Sequence, residues 1–76
     1  MEYKPINILI GSRLKEMRNA KKYSLRYVAE RIGKNNVTIS NYETGRLAID
    51  IPTLKKMCTL YGVDMLAFLS EIYEKI

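Results

Sequence analysis

The sequence predicts an all-α fold of five short helices. Three observations predict it. Apolar residues recur at helical spacing along the chain, small polar caps precede and glycines follow the periodic segments, and no stretch alternates apolar and polar residues as a half-buried strand does. No internal repeat, low-complexity tract or interdomain linker breaks the pattern, so residues 1–76 read as one domain.

Helix 1 is expected over Ile6 to Lys21, where Ile10, Leu14 and Met17 make one face. Gly11 inside it costs ~1 kcal/mol relative to Ala, a cost that suits a close approach of another helix or a phosphate. Ser24 is a good N-cap for helix 2, Leu25 to Ile32, whose inner face is Leu25, Val28, Ala29 and Ile32. Gly33 stops it in a left-handed residue. Asn35 caps helix 3, Asn36 to Thr44, with Val37, Ile39 and Tyr42 on its apolar side and Gly45 at its end. Asp50 caps helix 4. Pro52 is tolerated in its first turn, because the N–H it lacks would have had no intrahelical partner. Leu54, Met57, Cys58 and Tyr61 face inward, and Gly62 ends the helix. Asp64 caps helix 5, Met65 to Lys75, which carries Leu66, Phe68, Leu69, Ile72, Tyr73 and, just beyond it, Ile76.

Composition excludes several function classes. The chain has no histidine, which removes the commonest acid–base catalyst and the commonest metal ligand. Cys58 stands alone, so it makes neither an internal disulfide nor a cysteine metal site. No clustered carboxylates or nucleophile–base pair suggest an enzyme, and no cofactor or metal is expected. No apolar run approaches the ~20 residues of a membrane span, and no signal-peptide pattern opens the chain. A cytoplasmic protein is the expectation.

Charge is uneven. Ten Lys and Arg face four Asp and Glu through Arg46, whereas three bases face four acids from Leu47 onward. A basic front and a near-neutral tail suggest polyanion contact in front and packing or partner contact behind. A plain solvated basic surface accounts for the same numbers.

The two short helices around Gly33 have the spacing of a helix-turn-helix. Ala29 is small where the second helix crosses, and Ile39 and Tyr42 return apolar groups to the core. The other face of helix 3 offers Asn36, Thr38, Ser40 and Asn41, which are short, polar and uncharged. Such groups pair with base edges: Asn forms a bidentate pair with adenine, and Ser or Thr serves several bases.

The segment SLRYVAERIGKNNVTISNYETG, Ser24 to Gly45, strongly resembles the helix-turn-helix of the phage-repressor-like family, the lambda-repressor and Cro type also called XRE. The likeness continues in IGSRLKEMR upstream and DIPTLKKMCTLYGVDMLAFL downstream, covering roughly Ile10 to Leu69. It implies a compact five-helix lambda-repressor-like domain binding double-stranded DNA through helix 3 in the major groove. Asn36, Val37 and Asn41 fall at the family's main base-facing positions, with Thr38 and Ser40 beside them. Val37 suits a thymine methyl, with internal packing as the lesser alternative. Ser24, Asn35, Thr44 and Arg46 match backbone-contacting places, joined by Lys34 and Arg26 nearby and, more weakly, by Arg13 and Lys22. Arg18 and Glu43 match an ion pair that ties helix 1 to the end of helix 3. The chain departs from the pattern at Leu25, where many members carry a Gln that braces a phosphate and a reader.

Helix 5 has apolar residues on more than one face, and two arrangements fit. It curls over the core and hides both stripes, or one stripe stays exposed and joins a second copy. The second arrangement assigns Leu66, Leu69, Ile72, Tyr73 and Ile76 to a dimer interface. Residues 1–5 then form an N-terminal arm, 24–45 the helix-turn-helix and 64–76 helix 5. The leading expectation is a homodimeric repressor or controller protein on a palindromic operator, regulated by its concentration, operator arrangement or another protein. The competing one is an antitoxin that binds a toxin and its own promoter, although no separate toxin-binding tail is evident.

Overall fold

The computed structural model describes residues 5–76; the proposed arm, residues 1–5, lies outside the described residues except for Pro5. Five helices follow in order: α1 (Ile6–Ala20), α2 (Leu25–Ile32), α3 (Asn36–Thr44), α4 (Ile51–Tyr61) and α5 (Met65–Glu74). No strand occurs among the described residues.

Local chemistry sets the boundaries. Four helices begin on a side chain that accepts a hydrogen bond from a first-turn amide: Ser24 from Tyr27 N–H, Asn35 from Thr38 N–H, Asp50 from Thr53 N–H and Asp64 from Ala67 N–H. Hydrogen bonding from the Thr53 side chain first, with a smaller part from its N–H, lowers the Asp50 carboxyl from its ordinary value. Gly33, Gly45 and Gly62 end α2, α3 and α4 in the left-handed region. At Gly33, φ is +82° and its N–H donates to Ala29 O at 2.9 Å, a turn a β-carbon would strain. Helices α1 and α5 stop one residue earlier than periodicity suggests, with Lys21 and Lys75 as C-caps.

The core is one cluster to which every helix contributes: Leu14 and Met17 from α1, Val28, Ala29 and Ile32 from α2, Ile39 and Tyr42 from α3, Leu54, Met57, Cys58 and Tyr61 from α4, Phe68 and Ile72 from α5. Burial pushes the Cys58 thiol up, so it stays protonated and inert at neutral pH. Helix α1 packs mainly on α3, while α2 is flanked by α3 and α4, and α5 closes over α4 and α1.

Gly11 explains the tight α1–α3 seam. A β-carbon there would overlap the Tyr42 carbonyl oxygen and come within 2.6 Å of the Glu43 carbonyl oxygen. Helix α1 therefore lies against the backbone of α3's last turns, and the glycine's cost in helix propensity is offset by that approach.

Two sequence expectations need correction. Ile72 is 1% exposed and belongs to the core, so it is removed from the outward stripe of α5. It shares the inner face with Phe68, four residues earlier, as helical geometry requires. Val37 is not on the apolar side of α3; it is 67% exposed.

Candidate nucleic-acid interface

Helix α3 divides its residues cleanly between two faces. Ile39, Tyr42 and Glu43 are buried. Asn36 and Val37 are exposed, and Thr38, Ser40 and Asn41 are half-buried. Val37 therefore stands as an apolar group among short polar ones on the outer side, a mixture that can meet base edges and thymine methyls together.

The turn on either side of α3 supplies donors. Asn35 uses Oδ1 to cap Thr38 N–H at 2.8 Å, which leaves its amide NH2 unspent. Ser24 uses Oγ to accept from Tyr27 N–H at 3.0 Å and keeps its hydroxyl proton. First-turn amides of α2 and α3 that lack an intrahelical acceptor form ready anion sites at both N-termini. Past α3, the N–H groups of Arg46 and Leu47 both donate to Asn41 O, at 3.0 and 3.2 Å. The backbone that carries Asn41 is thereby fixed to the following loop. The Thr44 hydroxyl also donates to that carbonyl, at 3.3 Å.

The cations around this face differ in freedom. Lys22, Lys34 and Arg46 are exposed. Arg26 reaches Glu30 at 3.5 Å, but both side chains are highly exposed, so that pair is weak and readily exchanged. Arg13 is different. It binds Glu71 on α5 at 3.1 Å and Glu16 at 3.6 Å, so its charge ties α1 to α5. That engagement sets its charge against two carboxylates, unlike the exposed Lys22, Lys34 and Arg46.

Behind the outer face, Arg18 on α1 grips Glu43 on α3 with two parallel bonds. Nε donates to Oε2 at 2.7 Å and Nη2 to Oε1 at 3.1 Å, while Nη1 donates to Tyr23 O at 2.9 Å. The side chains are 11% and 4% exposed. Hydrogen bonding to Glu43 raises the Arg18 guanidinium above its ordinary value, against the opposing effect of burial. One side chain thus fixes α1, the end of α3 and the entry to α2. Sequence reasoning missed the Tyr23 carbonyl, because nothing in residue type marks a backbone acceptor.

Tyr61 lies within electrostatic range of this pair. It is 2% exposed, and its hydroxyl has no hydrogen-bond partner among the described residues. Burial first, and Glu43 second, push its phenol well above the ordinary 10.0. The unfolded chain therefore releases this proton first. The stability contributed by the neutral phenol is complete below pH 10.0 and is lost as pH rises through the higher folded value. Tyr61→Phe is expected to match or exceed the parent in stability at neutral pH and to show a shallower alkaline loss. Urea denaturation across alkaline pH checks both.

On α5 and just beyond it, Leu66, Tyr73 and Ile76 are 74%, 77% and 61% exposed, and Leu69 is half-buried. Leu47 and Ile51, beside the loop after α3, are also exposed apolar residues that sequence reasoning passed over. No described helix is long and apolar enough to cross a membrane. No group of three or more metal-ligating side chains occurs among the described residues.

Comparison with known proteins agrees with the fold. Residues 14–68 match the model of the family described as helix-turn-helix. The chain is similar to the HTH-type transcriptional regulator ImmR of Bacillus subtilis (strain 168), with 37% identity over 68 residues, 87% of this chain and 54% of that protein. It thus spans about half the length of that relative. Two solved structures of the clp gene regulator ClgR from Corynebacterium glutamicum share the fold at 23% identity. One has a TM-score of 0.88, covering 96% of this chain and 78% of that one. The other has a TM-score of 0.85, covering 96% and 95%. The chain belongs to the helix-turn-helix family of the phage-repressor (XRE) type, a family of DNA-binding transcription regulators.

Proposed function

We propose that the chain is a homodimeric, sequence-specific transcription regulator that reads a palindromic operator through α3 in the major groove. The outer face of α3 carries this reading: Asn36, Val37, Thr38, Ser40 and Asn41 lie together on one side, backed by the Arg18–Glu43 clamp. Asn36, Val37 and Asn41 are assigned to base edges, with Thr38 and Ser40 beside them. Ser24, Asn35, Thr44, Lys34, Arg46, Arg26 and Lys22 are assigned to phosphates, which fix register without reading sequence.

Two copies joined through Leu66, Leu69, Tyr73 and Ile76 would present two α3 helices about 34 Å apart, one turn of DNA. Repeated selection from randomised duplexes should then yield a two-fold symmetric consensus. Affinity for it should fall steeply with added salt as phosphate contacts release counterions. A consensus with one half-site would refute the symmetric arrangement.

Asn41→Ala should lose ~1–3 kcal/mol of discrimination at one base pair of each half-site while leaving random-sequence binding nearly unchanged. Competition binding against single-substitution duplexes measures this; equal losses on specific and random DNA would remove Asn41 from the readers. Tyr73→Lys or Ile76→Lys should shift the sedimentation equilibrium toward monomer and weaken operator binding. A parent chain that sediments as a monomer at high concentration would overturn the dimer.

A further inference from the structure

A second surface lies away from the outer face of α3. Arg31 and Ile32 at the end of α2 and Lys55, Lys56, Thr59 and Leu60 along α4 line an open, shallow groove of about 450 Å³. None of its walls comes from α3. Helix α2 packs against α3 and against α4, and the groove runs on its α4 flank.

The chemistry of the groove is specific. Ile32, 5% exposed, and the half-buried Leu60 give it an aliphatic floor. Arg31, Lys55 and Lys56 are exposed at its edge, and none of them takes part in an ion pair among the described residues. The Arg31 guanidinium lies 4.9 Å from the centre of the Tyr27 ring, which limits the space it samples. Three cations with no internal acid, arranged round an apolar floor, are complementary to a ligand that carries carboxylates and large apolar side chains together. A phosphate backbone would use the cations but gains nothing from the floor.

We propose that this groove is a docking site for an acidic, amphipathic segment of a partner protein. The segment sets one or two large apolar side chains over Ile32 and Leu60 and its carboxylates against Arg31, Lys55 and Lys56. The proposal stands apart from the DNA reading, because no residue assigned to bases or phosphates lines the groove.

The test uses the whole chain as bait for a random displayed peptide library, with the R31E/K55E/K56E variant as counter-selection. The expected peptides are net acidic and contain large apolar residues. A synthetic copy should perturb the backbone amides of Ile32, Thr59 and Leu60 in NMR spectra, and the charge-reversed variant should bind it about tenfold more weakly or worse. Thr59→Trp, which fills the groove and keeps every charge, should also block it, so the result does not hang on one variant. Thermal melts establish that both variants are folded. Enriched peptides without acidic character, or shifts centred on α3 or α5, would overturn the proposal. So would a random DNA duplex that perturbs the same amides and whose salt dependence weakens in the charge-reversed variant, since the groove would then belong to the nucleic-acid surface.

Discussion

Arg18→Ala is expected to cost about 3–5 kcal/mol of unfolding stability, as much as truncating a fully buried core side chain. The substitution leaves Glu43, 4% exposed, with an uncompensated buried charge. It also strips the Tyr23 carbonyl of its donor. A chain of this size holds roughly 4–11 kcal/mol in total, so the variant sits near the edge of folding. Urea denaturation reads the loss directly. Arg18→Lys keeps the charge but cannot make the two parallel bonds, and should fall between parent and alanine variant. Replacing both partners, Arg18→Met with Glu43→Leu, should cost less than either truncation alone, because no charge is left buried. A loss of ~1 kcal/mol or less for Arg18→Ala would mean that the pair behaves as a surface contact.

Gly11→Ala is expected to destabilise by about 2 kcal/mol or more, although alanine is the better helix former by ~1 kcal/mol. The new β-carbon meets backbone carbonyl oxygens of Tyr42 and Glu43, and these cannot rotate away as a flexible side chain would. Relief requires α1 and α3 to separate, which lengthens the Arg18–Glu43 bonds across the same seam. The Gly11 and Arg18 variants should therefore combine non-additively. Ser12→Ala, next door and exposed, is the control and should stay within about 0.5 kcal/mol of the parent. If Gly11→Ala melted above the parent, the propensity gain would have won and the close packing of α1 on α3 would be in error.

What the sequence made legible follows the range of the interactions. The caps at Ser24, Asn35, Asp50 and Asp64 and the stops at Gly33, Gly45 and Gly62 are decided within a few residues, so their positions could be read directly. Gly11 was legible as an anomaly, a glycine in an otherwise regular helix; its neighbour on α3 was not, since 31 residues separate it from Tyr42. Helix α5 shows the limit most clearly. It is apolar on several sides, and periodicity cannot say which stripe turns inward. The packing of α5 over α4 and α1 selects Phe68 and Ile72, leaving Leu66 and Tyr73 outside. Arg13 is a similar case. Its charge suggested a polyanion ligand, whereas its partner Glu71 lies 58 residues away and comes near only through that same packing. The groove between α2 and α4 had no sequence signature, because its floor and rim come from helices that are not adjacent in the chain.

The outer face of α3 is the centre of the functional account, and amide chemical-shift mapping tests it most directly. Isotope-labelled chain would be titrated with the duplex recovered by selection and, separately, with a random duplex of equal length. The selected duplex should perturb Asn36, Val37, Thr38, Ser40 and Asn41 most strongly and differently from the random one. The amides near Ser24, Lys34 and Arg46 should shift similarly with both, since phosphate contacts are common to all sequences. Identical shifts along α3 with the two duplexes, or the largest shifts on α4 and α5 with α3 unmoved, would contradict it.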